Sequence, residues 1–314
     1  MSGNLQSLQR KISGATDLEG VVRSMKALAA SSIGQYEKAV QSLDDYYRTV
    51  ELGLATCIRA TTPVPPIPKM KPKPPLLGAI IFGSDQGLVG GFNEVLLEFA
   101  KHALDAMPGE TKKVWAVGDR MQALVTDIAP NDVGMLSVPT SVRGIAPLVG
   151  QVLIDVEASI EKDEVEEIHL FYNHPKPGSS YDCVSKRLLP LDRAWEMSFK
   201  SVPWPTKTLP QIIGTSKSAL EALTREYLFV LIFQACAESL ASENASRLAA
   251  MQRAEKNIEE ILEDLNGKFH RLRQEAIDEE LFDVISGYEA LAKNASKPHV
   301  SLNATFDDPT ELTR

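Results

Sequence analysis

Apolar positions fall into three regimes along this chain: long stretches stepping by threes and fours at both ends, and short dense runs between them. From Ser216 to about Lys293 there is no proline, and the only glycines are Gly267 and Gly287. Leu248, Met251, Ala254, Ile258, Ile261, Leu265, Phe269, Leu272 and Ala276 recur about every 3.5 residues, the seam of a coiled coil. Arg253, Glu255, Lys256, Glu259, Glu260 and Glu263 fall on the other faces. At about 1.5 Å per residue such a helix would be on the order of 115 Å long. A domain of this size cannot bury a rod of that length, so the pattern predicts a partner helix along part of it and a projecting remainder.

The first stretch, from about Ser2 to Arg59, supplies that partner. Leu5, Leu8, Ile12, Ala15, Leu18, Val22, Met25, Ala29, Ile33, Tyr36, Val40, Leu43, Tyr47, Val50 and Leu54 keep the same steps. The stripe is narrower than that of an ordinary surface helix. Gly14, Gly20 and Gly34 each weaken a helix by up to about 1 kcal/mol, which pairing has to offset. Between Val21 and Ile33 small side chains accumulate (Ala27, Ala29, Ala30, Ser31, Ser32) and allow another surface to come close. Residues 61–75, TTPVPPIPKMKPKPP, form a stiff polyproline-type linker that ends the first helix.

Between the linker and the second long helix the pattern changes. Leu76–Phe82, Lys113–Val117, Met135–Pro139 and Glu166–Tyr172 read as strands. Helices are expected near Glu94–Ala106, Met121–Ile128 and Gly144–Ile160. Tyr181–Pro190 reads as an edge strand, and 198–215 as irregular chain. Strands alternating with helices imply a mainly parallel sheet covered on both faces. The expected fold is therefore α/β: a Rossmann-like domain inserted between long N- and C-terminal helices that pair as an antiparallel coiled coil. The corresponding domains are 1–60, a linker at 61–75, the α/β domain at 76–215, the second helix at 216–293 and a disordered tail at 294–314.

Composition narrows the function. The formal net charge of -9 argues against nucleic acid, which requires clustered Lys and Arg. Cys57, Cys183 and Cys236 lack metal or redox spacing, so reduced thiols are the default. The five histidines show no ligand spacing, and no signal core or transit character opens the chain. The Tyr227–Phe233 run is too short to span a bilayer and reads as packing. The Gly83–Gly91 turn lies after a strand and before a helix, where phosphate sites form, yet it matches neither the dinucleotide nor the P-loop spacing. A structural turn touching a neighbouring subunit fits it better. Asp278, Glu279 and Glu280 read as a solvated helix face. No cofactor, metal or catalytic residue is assigned.

Several motifs carry a resemblance. Glu238–Met251 (ESLASENASRLAAM) resembles the ENLASE-x-A-x-R-x-x-A-M run of the gamma subunit of F-type ATP synthases, the central rotor stalk. Arg273-Gln274 with Ile277 and Glu280-Leu281 resembles that family's RQ-x-x-I-T-x-E-L run, and Ile285-Ser286-Gly287 its I-x-S-G ending. Ser84–Asn93 (SDQGLVGGFN) is similar to S-D-R-G-L-C-G-G-L-N. Ser24-Met25 through Ala29-Ala30-Ser31 is similar to A-M-x-x-V-A-A-S, and Leu188–Leu191 to L-L-P-L. These motifs follow the family's order over nearly the whole chain. The departures are specific: Ser32–Gln35 is uncharged where the family carries Lys and Arg, Gln86 replaces an Arg, and Asp278 replaces a Thr. The chain also continues past the S-G pair to Arg314. The pattern resembles a divergent bacterial form.

The resemblance implies a non-catalytic subunit that rotates inside an alpha-beta hexamer. It would couple transmembrane ion flow to ATP synthesis or hydrolysis through asymmetric contacts. Implied partners are the alpha and beta subunits, an epsilon subunit and a membrane ring of c subunits. Membrane association would come only through the complex, at the cytoplasmic face of the bacterial inner membrane. Subunit contacts are expected at Met25, Ala29, Ala30, Ser31, Asp85, Gly87, Gly90, Gly91, Arg247, Met251, Arg273, Gln274 and Asp278. The contrasting readings are a Rossmann-like nucleotide-binding enzyme with a coiled-coil oligomerisation arm, and a purely structural coiled-coil adaptor.

Overall fold

The computed structural model describes residues 2–60, 74–125, 133–176, 180–208 and 210–295. In chain order the elements are α1 (Ser2–Ala60), β1 (Leu76–Phe82), α2 (Phe92–Asp105), β2 (Glu110–Val117), α3 (Asp119–Val125) and β3 (Val133–Leu136). They continue with α4 (Val142–Glu161), β4 (Glu167–Lys176), β5 (Ser180–Leu189), α5 (Arg193–Lys200) and α6 (Ser216–Ala295). Most of the expected linker and the tail after Ala295 lie outside the described residues. The chain divides into two compact units, Gly20–Lys256 and Met1–Glu19 with Asn257–Arg314.

Among the described residues of the larger unit, five strands run in the order β3-β2-β1-β4-β5. The β1–β2, β1–β4 and β2–β3 pairs are parallel, and the β4–β5 hairpin is antiparallel. Side chains alternate between the two faces, so each strand feeds two cores. Leu77, Ala79, Ile81, Val114, Ala116 and Phe171 meet Leu96, Ala100 and Leu104 of α2 and Met121 and Val125 of α3. Ile80, Phe82, Trp115, Val117, Ile168, Leu170 and Tyr172 face the other way, toward α4, α5, the end of α1 and the first turns of α6. The Tyr227–Phe233 run belongs to this second core, with Tyr227 against Phe199, Trp195 and Tyr47.

Within this unit α1 and α6 run antiparallel. Tyr46 donates to Glu226 at 2.5 Å, Gly53 lies against Leu223, and Lys26 and Arg23 reach Glu255. Partner numbers fall along α6 as they rise along α1, as antiparallel pairing requires. Burial along α1 selects Val22, Ala29, Ile33, Tyr36, Val40, Leu43, Tyr47, Val50 and Leu54, with Met25 half-buried beside Lys26.

In the smaller unit, Leu5, Leu8, Ile12 and Ala15 of α1 are half-buried, as are Ile258, Leu262, Leu265, Phe269, Leu272 and Ala276 of α6. Two seam positions differ from the expected pattern. Ile261 is 52% exposed and Leu262 takes its place; Leu18 is 58% exposed and Glu19 is half-buried instead. Steps of three and four can be started in either order, and for the adjacent apolar Ile261 and Leu262 the periodicity alone does not choose; at Leu18 and Glu19 hydrophobicity favours the leucine, and the helix departs from that choice. One helix was not expected: α5 lies mostly in a stretch to which no element was assigned, and it overlaps the chain expected to be irregular only at 198–200. Its start signal is Asp192, whose side chain accepts from the Trp195 N–H at 2.8 Å.

Candidate functional site: a helix seated at the carboxyl end of the sheet

The Gly83–Gly91 turn leaves the carboxyl end of β1, next to the gap between β1 and β4 where the chain's strand order changes direction. In doubly wound domains that gap receives the ligand. Here the molecule's own polar side chains occupy it. Ser84 N donates to Asn93 Oδ1 and Asn93 Nδ2 to Ser84 Oγ, both at 2.9 Å, while Asn173 Nδ2 reaches the Phe92 carbonyl at 3.3 Å. From α6, Ser239 donates to the Phe82 carbonyl at 3.2 Å and Ser242 to the Asn173 carbonyl at 2.9 Å. Ser246 donates to the Val89 carbonyl at 2.6 Å. Gly118, at φ 106, passes so close to the Ser84 backbone that a Cβ would sit 2.7 Å from it, which fixes the neighbouring loop against the turn.

Carboxylates stiffen the same seat. Glu238 is buried and lies 2.7 Å from His174 Nδ1, with Gln234 donating to its other oxygen at 2.8 Å. Burial, and then the charge of Glu238, push the Tyr172 phenol well above its ordinary range. Glu243 accepts from Arg247 at 2.5 Å; burial raises its pKa, and the guanidinium opposes part of that rise. The Cys236 thiol is likewise pushed up by burial and is inert as a nucleophile.

The expected contact residues separate into three kinds. Asp85 is turned inward, accepting from the backbone N–H groups of Asp119 and Val138 at 3.1 and 3.3 Å. Arg247 is held by Glu243 and Asn244, and Met25, Ala29 and Met251 are half-buried or buried. Gly90, Gly91, Ala30 and Ser31 are exposed; Gly87 is half-buried, with the Arg120 guanidinium 3.1 Å from where a Cβ would stand. Arg273, Gln274 and Asp278 are exposed on the part of α6 belonging to the smaller unit. Asp85, Gly87, Gly90, Gly91 and Arg247 therefore share one neighbourhood, and Arg273, Gln274 and Asp278 another. Ser239, Ser242, Ser246 and Asn93 stand in the motif runs of the sequence but were not named among the expected contacts, and Asn173 was not singled out. Their signal was present in part: small hydroxyls three and four apart stand where a coiled-coil seam would carry Leu or Ile.

Glu255 gives the paired helices an acid-sensitive contact. A hydrogen bond from Lys26, followed by the Lys26 charge and Arg23, holds its carboxyl below its ordinary 4.5. A lowered folded pKa contributes stability above pH 4.5, and that stability disappears as the pH falls through the folded value. Glu255→Gln should therefore lower the melting temperature at pH 7 and flatten its fall as the pH drops below 4.5. A circular-dichroism melting series checks this; an unchanged acid limb would mean that the pair is immaterial.

Among the described residues, no group of three or more His, Cys, Asp or Glu side chains is arranged to hold a metal ion, and no helix is long and apolar enough to cross a membrane. The class defined by this architecture is an α/β domain gripping a long paired helix. The family described as ATP synthase matches residues 4–291, and the chain belongs to it. It is 26% identical over 303 residues to the ATP synthase gamma chain of Parafrankia sp. (strain EAN1pec), covering 94% of this chain and 100% of that one. It is 24% identical over 307 residues to the ATP synthase gamma chain of Mycolicibacterium paratuberculosis (strain ATCC BAA-968 / K-10), covering 93% and 99%. Its fold is similar to the rotor of Euglena gracilis mitochondrial ATP synthase, with a TM-score of 0.62 and 13% identity, covering 88% of this chain and 100% of that one.

Proposed function

We propose that this chain is the gamma subunit of an F-type ATP synthase, the central stalk that rotates within an alpha-beta hexamer and couples ion flow to ATP synthesis or hydrolysis. Family membership and the names of its relatives support the assignment to this complex. One observation carries the mechanical reading. On the last described turns of α6, Ile277, Leu281, Phe282, Val284, Ile285 and Tyr288 are all exposed, Phe282 to 69% and Tyr288 to 75%. Ile277, Leu281, Val284 and Tyr288 again step by four, three and four. Monomeric proteins rarely present a large contiguous apolar helix face to water, and such a face marks a surface that a partner covers.

In this reading the subunit performs no chemistry of its own. An asymmetric rod shows a different face to each catalytic interface, and it changes their affinities only through unequal contact free energies. About 1.4 kcal/mol of inequality changes an affinity tenfold. Met25, Ala29, Ala30, Ser31, Arg273, Gln274 and Asp278 serve as hexamer contacts, with Arg273 suited to a carboxylate. Gly87, Gly90 and Gly91, beside the inward-turned Asp85, form a second contact with a catalytic subunit. Epsilon and c-ring partners bind the α/β domain, and the chain is held peripherally at the cytoplasmic face of the bacterial inner membrane. The segments 1–60, 76–215 and 216–293 act as first helix, domain and second helix.

Reconstitution tests this. The chain is purified with its alpha and beta subunits, and steady-state ATPase is compared with and without it. The expected result is a stable complex whose turnover depends on the chain, with no turnover by the chain alone. Absence of a complex, or nucleotide hydrolysis by the isolated chain, would overturn the reading and return attention to the enzyme alternative.

A further inference from the structure

Ser239, Ser242 and Ser246 lie three and four residues apart on one face of α6, and each donates to a different backbone carbonyl of the α/β domain. The acceptors are not interchangeable surface atoms. The ladder between β1 and β4 ends at Ile81↔Phe171. Phe82 and Asn173 lie just beyond it, where the strands separate, and Val89 belongs to the turn that follows β1. Ser239 and Ser242 are 3% and 0% exposed, so their hydroxyls have no water to fall back on. Glu238 adds a fourth tie, to His174 of β4, from the same turn of the helix.

Apolar packing and hydrogen bonds resist different motions. The core contacts of Leu231, Ile232, Ala235 and Ala241 hold α6 against the sheet, but hydrophobic attraction has no direction of its own. Packing resists rolling of the helix only through the shapes of the side chains that interlock. A hydrogen bond fails once its donor is turned well away from its acceptor. Three such bonds on successive turns, all to carbonyls fixed in the sheet and its first loop, set the angle of the helix as well as its position.

Resting on the rotor reading above, we propose that Ser239, Ser242 and Ser246 are torque-bearing positioning residues. They key α6 to the α/β domain at the sheet's ligand crevice, so that rotation of the domain is passed to the helix without slip. The crevice that would hold a nucleotide in a related enzyme fold holds the drive shaft here.

The test uses the complete, membrane-reconstituted complex, with wild-type chain or with Ser239→Ala, Ser242→Ala and Ser246→Ala combined. ATP hydrolysis and ATP-driven ion pumping are measured together, with pumping against an imposed gradient. The expected result is assembly and hydrolysis within about twofold of wild type, while ions moved per ATP fall at least twofold under load. Unchanged ions per ATP in the triple variant would overturn the proposal. If the triple variant does not assemble, Ser246→Ala and Ser246→Thr decide: the threonine keeps the hydroxyl and should keep coupling, whereas the alanine should lower it. Equal coupling in the two overturns the proposal. A complex that pumps no ions even with wild-type chain would instead overturn the rotor reading, and so the two failures are distinguishable.

Discussion

Replacing Leu262 by Asp should destabilise the chain by about 2–3 kcal/mol, the cost of forcing a charge into an apolar seam. The same replacement at Ile261 should stay within about 0.5 kcal/mol, as surface substitutions do. The two residues are adjacent and chemically alike. They differ in that Leu262 continues the half-buried series of Ile258, Leu265, Phe269, Leu272 and Ala276, whereas Ile261 is 52% exposed. Helical content against temperature, with limited proteolysis as a second probe, separates the two variants in the isolated chain. Comparable losses in both would mean that the helices pair through the neighbouring face. In the assembled complex the order can reverse: Ile261 is free for a partner surface, so its variant is the one to examine for lost coupling.

Trp115→Ala is expected to cost about 4 kcal/mol, in the range measured for removal of large buried aromatic side chains. Trp115 stands at the centre of β2, 1% exposed, and the sheet is cut to receive it. A Cβ on Gly78 of β1 would lie 2.9 Å from its ring, and one on Gly134 of β3 would lie 2.8 Å from it. The indole therefore fills notches on the strands at either side, and Lys113 lies over the ring at 5.7 Å. The two glycines carry no side chain to move into the vacated volume, and only Val165 and Ile168 stand beside Gly78, so collapse around an alanine is limited. Chemical denaturation followed by near-ultraviolet circular dichroism checks the prediction. A loss below about 1.5 kcal/mol would show that the core repacks freely at this point.

Much of the architecture was legible because it is written in periods. Two patterns of threes and fours, glycine-poor over most of their length, make two long helices. Short apolar runs divided by glycine and polar residues make a mainly parallel sheet with helices on both faces. The strand at Leu76–Phe82 and the start of the last helix at Ser216 coincide with the observed elements. The motif order from Ser24 to Gly287 pointed to the family that the comparison with known proteins then showed.

What the periods could not settle is where two neighbouring residues compete for one place, or where a polar group is bonded within the chain. Leu262 and Ile261 are degenerate in a pattern whose steps alternate. The competing helix removes the degeneracy, because only one phase brings both stripes together. Asp85 looked outward as a motif residue, but its carboxylate accepts from two backbone N–H groups distant in sequence, whereas Arg247 is held by Glu243 and Asn244 one turn earlier on its own helix. The serines of α6 are the clearest case. Their three-and-four spacing lies in the sequence, but their partners, the Phe82, Asn173 and Val89 carbonyls, are backbone atoms without a side-chain signature. Sequence by itself determined the two long helices and the strands, because those follow from local spacing, and its motifs pointed to the family. Only the tertiary structure decided that the sheet's crevice is closed by α6, because that depends on which strand carbonyls are left without a ladder partner once β1 and β4 part.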